Sequence, residues 1–500
     1  MHSDSMTTSQ TQTPESPNTP RNPWVPFSAL AIQIVTGVAS QTMVFVALAE
    51  MAGDFGVTLR TISWVVIVQG LTISAVMMPM GRLGDIIGRR RVYLLGLVIF
   101  GLGMASTAAS PVFGILIGAR IVSAIGNSMV QSVSTAMTVS LFPENERGKA
   151  LGLQATLVAT GLATGPVAAG ILLQFFSWES IFIMILVPTA ISFALGYFLL
   201  TEKLVSSSAP SSRPPFDWTG AGVSALIIVV GVVLINNPFK VSAISPIMLG
   251  GAVGVVALVI FFIKWELRTE APMLQLRLFK NRQLSLGVSV RYLGFLGQTA
   301  PTLLMPIYLI GVRDLEEAAA GGLLFLTSIG MGSAAQLSGR LGDRFGERMF
   351  QVFGFAILTI VAITYSTFTA DTPIGLVMAI LALNGFGLGS WAVSNNSVVV
   401  GSDPRNALGV VGALTNLTRN VGSVTGQAVA TTIVAGAMAS RGFDIPLDEV
   451  SGNAGAISAF MAGWRYAYLT VAGFAITSMI LATLAGSVPK ADEAEVSKPG

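Results

Sequence analysis

The stretch Gly81-Arg82-Leu83-Gly84-Asp85 lies between two long apolar segments, and it returns unchanged as Gly339-Arg340-Leu341-Gly342-Asp343 between two others. A few residues on, Gly88 and Arg90 return as Gly346 and Arg348. A short, charged, glycine-rich turn at matching places in two halves of an apolar chain marks an internal duplication in which each half builds a related helix bundle.

The composition agrees with that reading. Hydrophobic residues make up 52% of the 500 and charged residues 11%, and the mean hydropathy is +0.73, values that exclude a water-soluble globule and point to lipid as the solvent. The 54 glycines suit membrane helices that approach closely through small residues. No cysteine is present and the one histidine is His2, so disulfides, thiol chemistry and Cys/His metal sites are excluded, and no metal or other cofactor is expected. A nucleophile–base pair, a phosphate loop and a Walker motif are also lacking, so neither an enzyme nor an ATP-driven pump is expected.

Apolar runs of about 20 residues, the length that crosses roughly 30 Å of hydrocarbon, fall near 26–49, 62–80, 92–109, 112–140, 149–173, 179–200, 219–236, 246–264, 284–310, 316–338, 349–369, 373–400, 406–438 and 464–487. The prediction is an all-α membrane protein of fourteen spans, without the ten-residue alternation of a β-barrel. Residues 1–22 read as a disordered tail. A six-helix bundle over 23–200 is followed by a serine- and proline-rich linker over 201–217, two inserted helices over 218–264 and a polar loop over 265–283. A second six-helix bundle over 284–488 precedes a tail over 489–500. Each repeated turn then follows the second helix of its own bundle.

Orientation follows from Lys and Arg, which accumulate on the cytoplasmic side. Arg60, Lys240, Arg313, Arg441 and Arg465 fall on one side, Arg120, Arg291 and Arg419 fall inside spans, and the remaining 20 of the 28 lie with the two tails and the repeated turns. Both termini are therefore expected in the cytoplasm, with the chain in the cytoplasmic (inner) membrane and the lipid bilayer as its surroundings. Trp24, Trp64, Trp178, Trp218, Trp265 and Trp464 lie at predicted span ends, as an interfacial belt requires, whereas Trp391 lies inside the twelfth span.

The segment Gly81–Arg91 resembles the signature between helices 2 and 3 of the major facilitator superfamily, and the fourteen-span plan resembles its drug:proton antiporter branch, the multidrug-exporter type. Supporting stretches are Arg120 with Gly126, Phe142-Pro143-Glu144 followed by Glu146-Arg147-Gly148-Lys149-Ala150, the run Gly161, Gly165, Pro166, Ala169, Gly170, and the run Arg419, Gly422, Gly426, Ala428. The resemblance implies a major facilitator fold of 6+2+6 helices. It also implies alternating access, export of small organic molecules in exchange for protons, and a monomer that binds no nucleic acid. The chain departs from the pattern where Ser40 and Ala49 stand in place of an Asp and a Pro in the first span, where Ser123 and Ala124 follow Arg120, and where Glu179-Ser180 follow Trp178.

Candidate residues follow from chemistry and from that resemblance. In the turns Gly81, Arg82, Gly84, Asp85, Gly88 and Arg89, with Gly339, Gly342 and Asp343, are gating candidates. Their glycines permit tight approach, their acids can accept hydrogen bonds at a neighbouring helix start, and their arginines can pair with Glu144 or Glu146. Gly161, Gly165, Pro166 and Gly170 would bend the fifth helix and pack it closely. A cation at the depth of Arg120 costs about 2.5–3.5 kcal/mol to insert and must face protein or water, and the resemblance assigns it to proton coupling. Every carboxylate falls in a tail, loop or span end, and Glu50 is the coupling candidate among them. Gln41, Gln69, Arg291, Gln298, Trp391, Asn395 and Arg419 are candidates for lining a substrate cavity. The alternatives are an uncoupled facilitator or organic-anion exporter using Arg291, and a membrane sensor that does not transport.

Overall fold

The computed structural model describes residues 22–57, 59–62, 64–143, 146–205, 216–236, 245–270, 272, 274, 276–401, 408–443 and 453–485. Among them are fourteen long helices. The first six are α1 (Trp24–Asp54), α2 (Trp64–Ile87), α3 (Arg89–Ala108), α4 (Phe113–Leu141), α5 (Arg147–Phe175) and α6 (Glu179–Leu199). Two more, α7 (Trp218–Asn236) and α8 (Pro246–Glu266), precede α9 (Arg282–Ile307), α10 (Glu317–Phe345), α11 (Glu347–Ser366), α12 (Ile374–Gly401), α13 (Leu408–Ala439) and α14 (Ala454–Leu484). No strand occurs among the described residues. Thirteen of the helices are long and apolar enough to cross a membrane, and α7 carries the shorter apolar stretch Trp218–Gly231. Side chains such as Phe198, Phe175 and Ile247 are at least 70% exposed, an outer surface that only lipid accommodates. The protein is therefore a multi-pass membrane protein. The expected tails, the serines of the linker and Glu144 lie outside the described residues.

The duplication seen in the sequence is repeated in the packing. In the first half α1 packs on α5 and α6, α4 on α2 and α3, and α3 on α6; in the second α9 packs on α13 and α14, α12 on α10 and α11, and α11 on α14. Each pair in one bundle has its counterpart eight helices later. The two bundles meet through α5 with α10 and through α2 with α13, pairs that exchange under the same correspondence. Helices α7 and α8 pack on each other, and α7 also rests on α2 and α13, covering one of those two seams.

The repeated residues depart from the expected turn: Gly81–Asp85 and Gly339–Asp343 form the last turns of α2 and α10, and only Gly88 and Gly346 break the helices, in one backbone form. Gly88 at the start of α3 has φ 104° and ψ 135°, and Gly346 at the start of α11 has φ 90° and ψ 135°, a region open to glycine and strained for any side chain by roughly 1–3 kcal/mol. Around Gly346 an added Cβ meets nothing within 4 Å, whereas at Gly88 it would collide with the Glu202 carboxylate. Both alanine variants should therefore melt lower in detergent, Gly88→Ala by the larger amount; equal shifts would show that contact with Glu202 has no energetic weight.

One helix start and two tryptophans depart from the sequence reading. Helix α14 begins at Ala454, ten residues ahead of the predicted span, because the Asn453 side chain accepts hydrogen bonds from the amides of Gly455 and Ala456 at 2.9 and 3.2 Å and so caps the helix there. Trp464 consequently lies within the helix, fully buried, donating its Nε1–H to the Tyr365 carbonyl at 2.6 Å. It packs with Tyr308, Tyr365, Phe368 and Tyr468 as the aromatic core of the second bundle and takes no part in an interfacial belt. Trp178 is also buried, its backbone amide and its Nε1–H donating to Glu50 and Asp54 at 3.1 and 2.8 Å. By contrast Trp218, at the start of α7, is 79% exposed.

Candidate gate and transport pathway

At the first turn Arg89 gathers three elements. Its guanidinium pairs with Asp85 at 3.2 Å, four residues back across the turn, and donates to the Ser140 hydroxyl at the end of α4 and to the Val205 carbonyl just after α6. Both side chains of the ion pair are less than a tenth exposed, so it is less screened than a surface pair. Gly84 lies so close to α4 that a Cβ there would stand 2.6 Å from Val133. Arg90 donates to the Tyr197 carbonyl at 2.7 Å and lies over the Tyr197 ring, tying α3 to α6. The Nε of Arg82 is buried without a hydrogen-bond partner. In the second copy Glu347 occupies the place of Arg89, and its carboxylate lies against Gly342; the side chain of Asp343 is not among those described.

The seam between the bundles is closed at the end that bears these turns. Where α5 crosses α10, a Cβ on Gly152 would stand 2.6 Å from the Ala335 carbonyl oxygen, and one on Gly339 would stand 2.5 Å from that of Gly148. Only glycine allows such an approach. Thr156 adds a hydrogen bond to the Gly332 carbonyl and accepts one from Gln336, each at 3.3 Å. Beside this crossing Val139 and Leu151 meet Leu284, Val399 and Val411, and Met78 meets Leu414. Farther along α5 the close contacts turn inward to α1. A Cβ on Gly161 would stand 2.8 Å from the Val35 carbonyl oxygen, and one on Gly165 would stand 3.0 Å from that of Ala39. Pro166 is exposed, and no neighbour lies within 4 Å of a Cβ on Gly170.

Inside the first bundle Arg120 is fully buried. Its Nη2 donates to the Gln69 side-chain oxygen, its Cζ lies 5.4 Å from the Phe182 ring centroid, and its Nε and Nη1 have no hydrogen-bond partner. A turn or two deeper, Asn127 donates to the Gly37 carbonyl at 3.4 Å, and both polar atoms of buried Gln33 are without a partner. Gln41 donates to Gly37 of its own helix at 3.0 Å. Glu50 lies at the opposite end of α1 from the repeated turns, engaged by the Trp178 amide.

In the second bundle Trp391 is fully buried, stacked on Phe355 with centroids 4.9 Å apart and edge-on to Phe295 at 5.1 Å. Asn395, also fully buried, donates to the Gly287 carbonyl at 2.9 Å and so ties α12 to α9. Gln298 lines a cavity of about 20 Å³ with Asn384, Tyr365 and Tyr468, room for one water molecule. Arg291 donates from Nε to the Thr415 carbonyl at 2.7 Å. Arg419 reaches across the seam to the Gln131 side-chain oxygen at 3.1 Å, and Asn416 donates to the Gln131 carbonyl at 3.2 Å. Gln33, Asn127, Gln131, Asn384 and Asn416 were not singled out by sequence, although an amide at membrane depth is itself the signal that could have found them.

Two pseudo-symmetric six-helix bundles, joined along a related pair of seams and carrying cations and amides in their interiors, define a membrane transporter. The chain belongs to the Major Facilitator Superfamily, whose sequence pattern matches residues 30–427. It is 28% identical over 407 residues to the riboflavin transporter RibZ of Clostridioides difficile, covering 81% of this chain and 87% of that one. Over 452 residues it is 25% identical to the multidrug efflux pump LfrA of Mycolicibacterium smegmatis, covering 90% and 88%. To the methyl viologen resistance protein SmvA of Salmonella typhimurium it is 27% identical, covering 81% of each. The fold is also similar to that of the human organic anion transporter MFSD10, with a TM-score of 0.64 at 16% identity, covering 93% of this chain and all of the other.

Proposed function

We propose that the protein exports small organic molecules across the cytoplasmic membrane by alternating access, in exchange for protons. The observation that carries this reading is the glycine-lined α5–α10 crossing at the turn-bearing end, where backbone touches backbone with little side-chain bulk to disengage. Two bundles held that way can part and re-form by rocking. With the Lys- and Arg-rich side taken as cytoplasmic, the closed crossing lies at the cytoplasmic end, and the Asp85–Arg89 pair with its contacts to Ser140 and Val205 braces that end of the first bundle. Gln69 and Arg120 would then belong to the path, and Arg120 and Glu50 are the groups assigned to coupling. The names of the relatives suggest cationic and flavin-like probes.

The test is uptake of methyl viologen and of riboflavin into everted proteoliposomes, with and without an imposed pH gradient. Antiport predicts flux accelerated severalfold by the gradient and, for Glu50→Gln, flux that no longer responds to it. Flux indifferent to the gradient in the wild type would make the protein a facilitator. Two observations favour that second reading: Glu50 is already engaged by the Trp178 amide, and among the described residues Arg120 has an amide oxygen and no carboxylate as its hydrogen-bond partner. Absence of flux for every probe, in protein shown to be folded, would leave the membrane sensor.

A further inference from the structure

Two of the three arginines inside the predicted spans lie next to each other on the seam, and neither has an acidic partner among the described residues. Arg291 of α9 bonds to the carbonyl of Thr415, one helical turn before Arg419 on α13, and the two positive charges repel. Arg419 is held by Gln131 of α4, a side chain from the other bundle. Two hydrogen-bond donors are left over: Nη1 of Arg291, a residue only 6% exposed, and Nε2 of Gln131 are buried without a partner. A pair of like charges at this depth with unused donors is costly unless a negative group joins them.

We propose that Arg291, Arg419 and Gln131 form an anion subsite that takes the carboxylate of a transported organic anion, a specificity that rests on the transport reading above. The planar guanidinium fork matches the two oxygens of a carboxylate, and the Gln131 amide supplies a further N–H. Beneath Arg291 the ring of Phe295 lies 5.2 Å from the guanidinium carbon and supplies an apolar contact for an aromatic body attached to that carboxylate. Because the arginines belong to the second bundle and Gln131 to the first, a carboxylate held by all three bridges the seam. Its binding therefore favours the state closed at the turn-bearing end.

The experiment measures thermal protection of the purified full-length protein in detergent by benzoate, with benzamide, inorganic phosphate and chloride as comparisons. Benzoate is expected to raise the melting temperature at concentrations where benzamide does nothing, and Arg291→Gln and Arg419→Gln should each weaken its apparent affinity roughly ten- to a hundredfold. Should either variant fail to fold, a cysteine at Val139, buried in the same seam, provides a second readout in otherwise wild-type protein, since benzoate must then slow its labelling by a maleimide. Equal protection by benzamide, unchanged affinity in both variants, or unaltered Val139→Cys labelling would overturn the proposal. Protection by phosphate or chloride that benzoate does not displace would overturn it as well, by assigning the site to an inorganic ion. Methyl viologen flux without any benzoate effect would leave export standing and remove the subsite; benzoate protection without flux of any probe would do the reverse.

Discussion

Replacing Arg120 by leucine is expected to abolish flux while leaving the protein about as stable as before. The guanidinium is fully buried with one hydrogen-bond acceptor, Gln69, and one aromatic face, Phe182. Removing the charge relieves an insertion cost of about 2.5–3.5 kcal/mol, and orphaning the Gln69 oxygen costs about 1–3 kcal/mol. These terms offset, so the melting temperature in detergent should move by only a few degrees in either direction. On the proposal that Arg120 belongs to the transport path, efflux from proteoliposomes should fall at least tenfold. The informative contrast is between the two readouts. A large fall in melting temperature with normal flux per folded molecule would make Arg120 a structural tie and take it out of the path.

Replacing Gly152 by leucine is expected to force the seam apart. Even the first carbon of the new side chain would stand 2.6 Å from the Ala335 carbonyl, and overpacking of this kind costs about 1–3 kcal/mol. That cost falls only on the state in which α5 and α10 cross closely, so the balance between closed and open forms should shift roughly 5- to 150-fold at 1.4 kcal/mol per decade. The chain has no cysteine of its own, and a single cysteine at Val139, buried where the bundles meet, reports the opening through its rate of labelling by a membrane-impermeant maleimide. The control lies on the same helix: Gly170→Leu meets nothing within 4 Å at its first carbon and should leave the rate unchanged. Equal labelling in the Gly152 and Gly170 variants would show that this crossing does not part.

The two helix breaks were legible because their geometry is local. Glycines at Gly88 and Gly346 are required by a positive φ that no tertiary contact needs to impose, and the five repeated residues announce that the same local geometry is built twice. Helix number was legible for a similar reason, since crossing lipid demands a minimum apolar length whatever the helix packs against. The start of α14 was not, because the side chain of Asn453 decides where the helix begins.

Arg419 shows where reading from one helix stops. Its place about three turns into α13 leaves a long side chain able to reach toward the membrane surface, yet in the structure it crosses to Gln131 on the other bundle. Trp464, Trp391 and Asn395 are similar cases. Each is turned into the second bundle and held there by Tyr365, by Phe355 and Phe295, and by the Gly287 carbonyl. Sequence alone determined the solvent, the duplication, the number of helices and the chemical types of the buried polar residues, because these depend on composition and on local backbone rules. Which faces of those helices meet, which amides and arginines share the seam, and at which end the bundles touch were decided only by tertiary structure. In lipid an apolar face gains little by turning away from its surroundings, so helix rotation is set by close packing and by hydrogen bonds between distant residues.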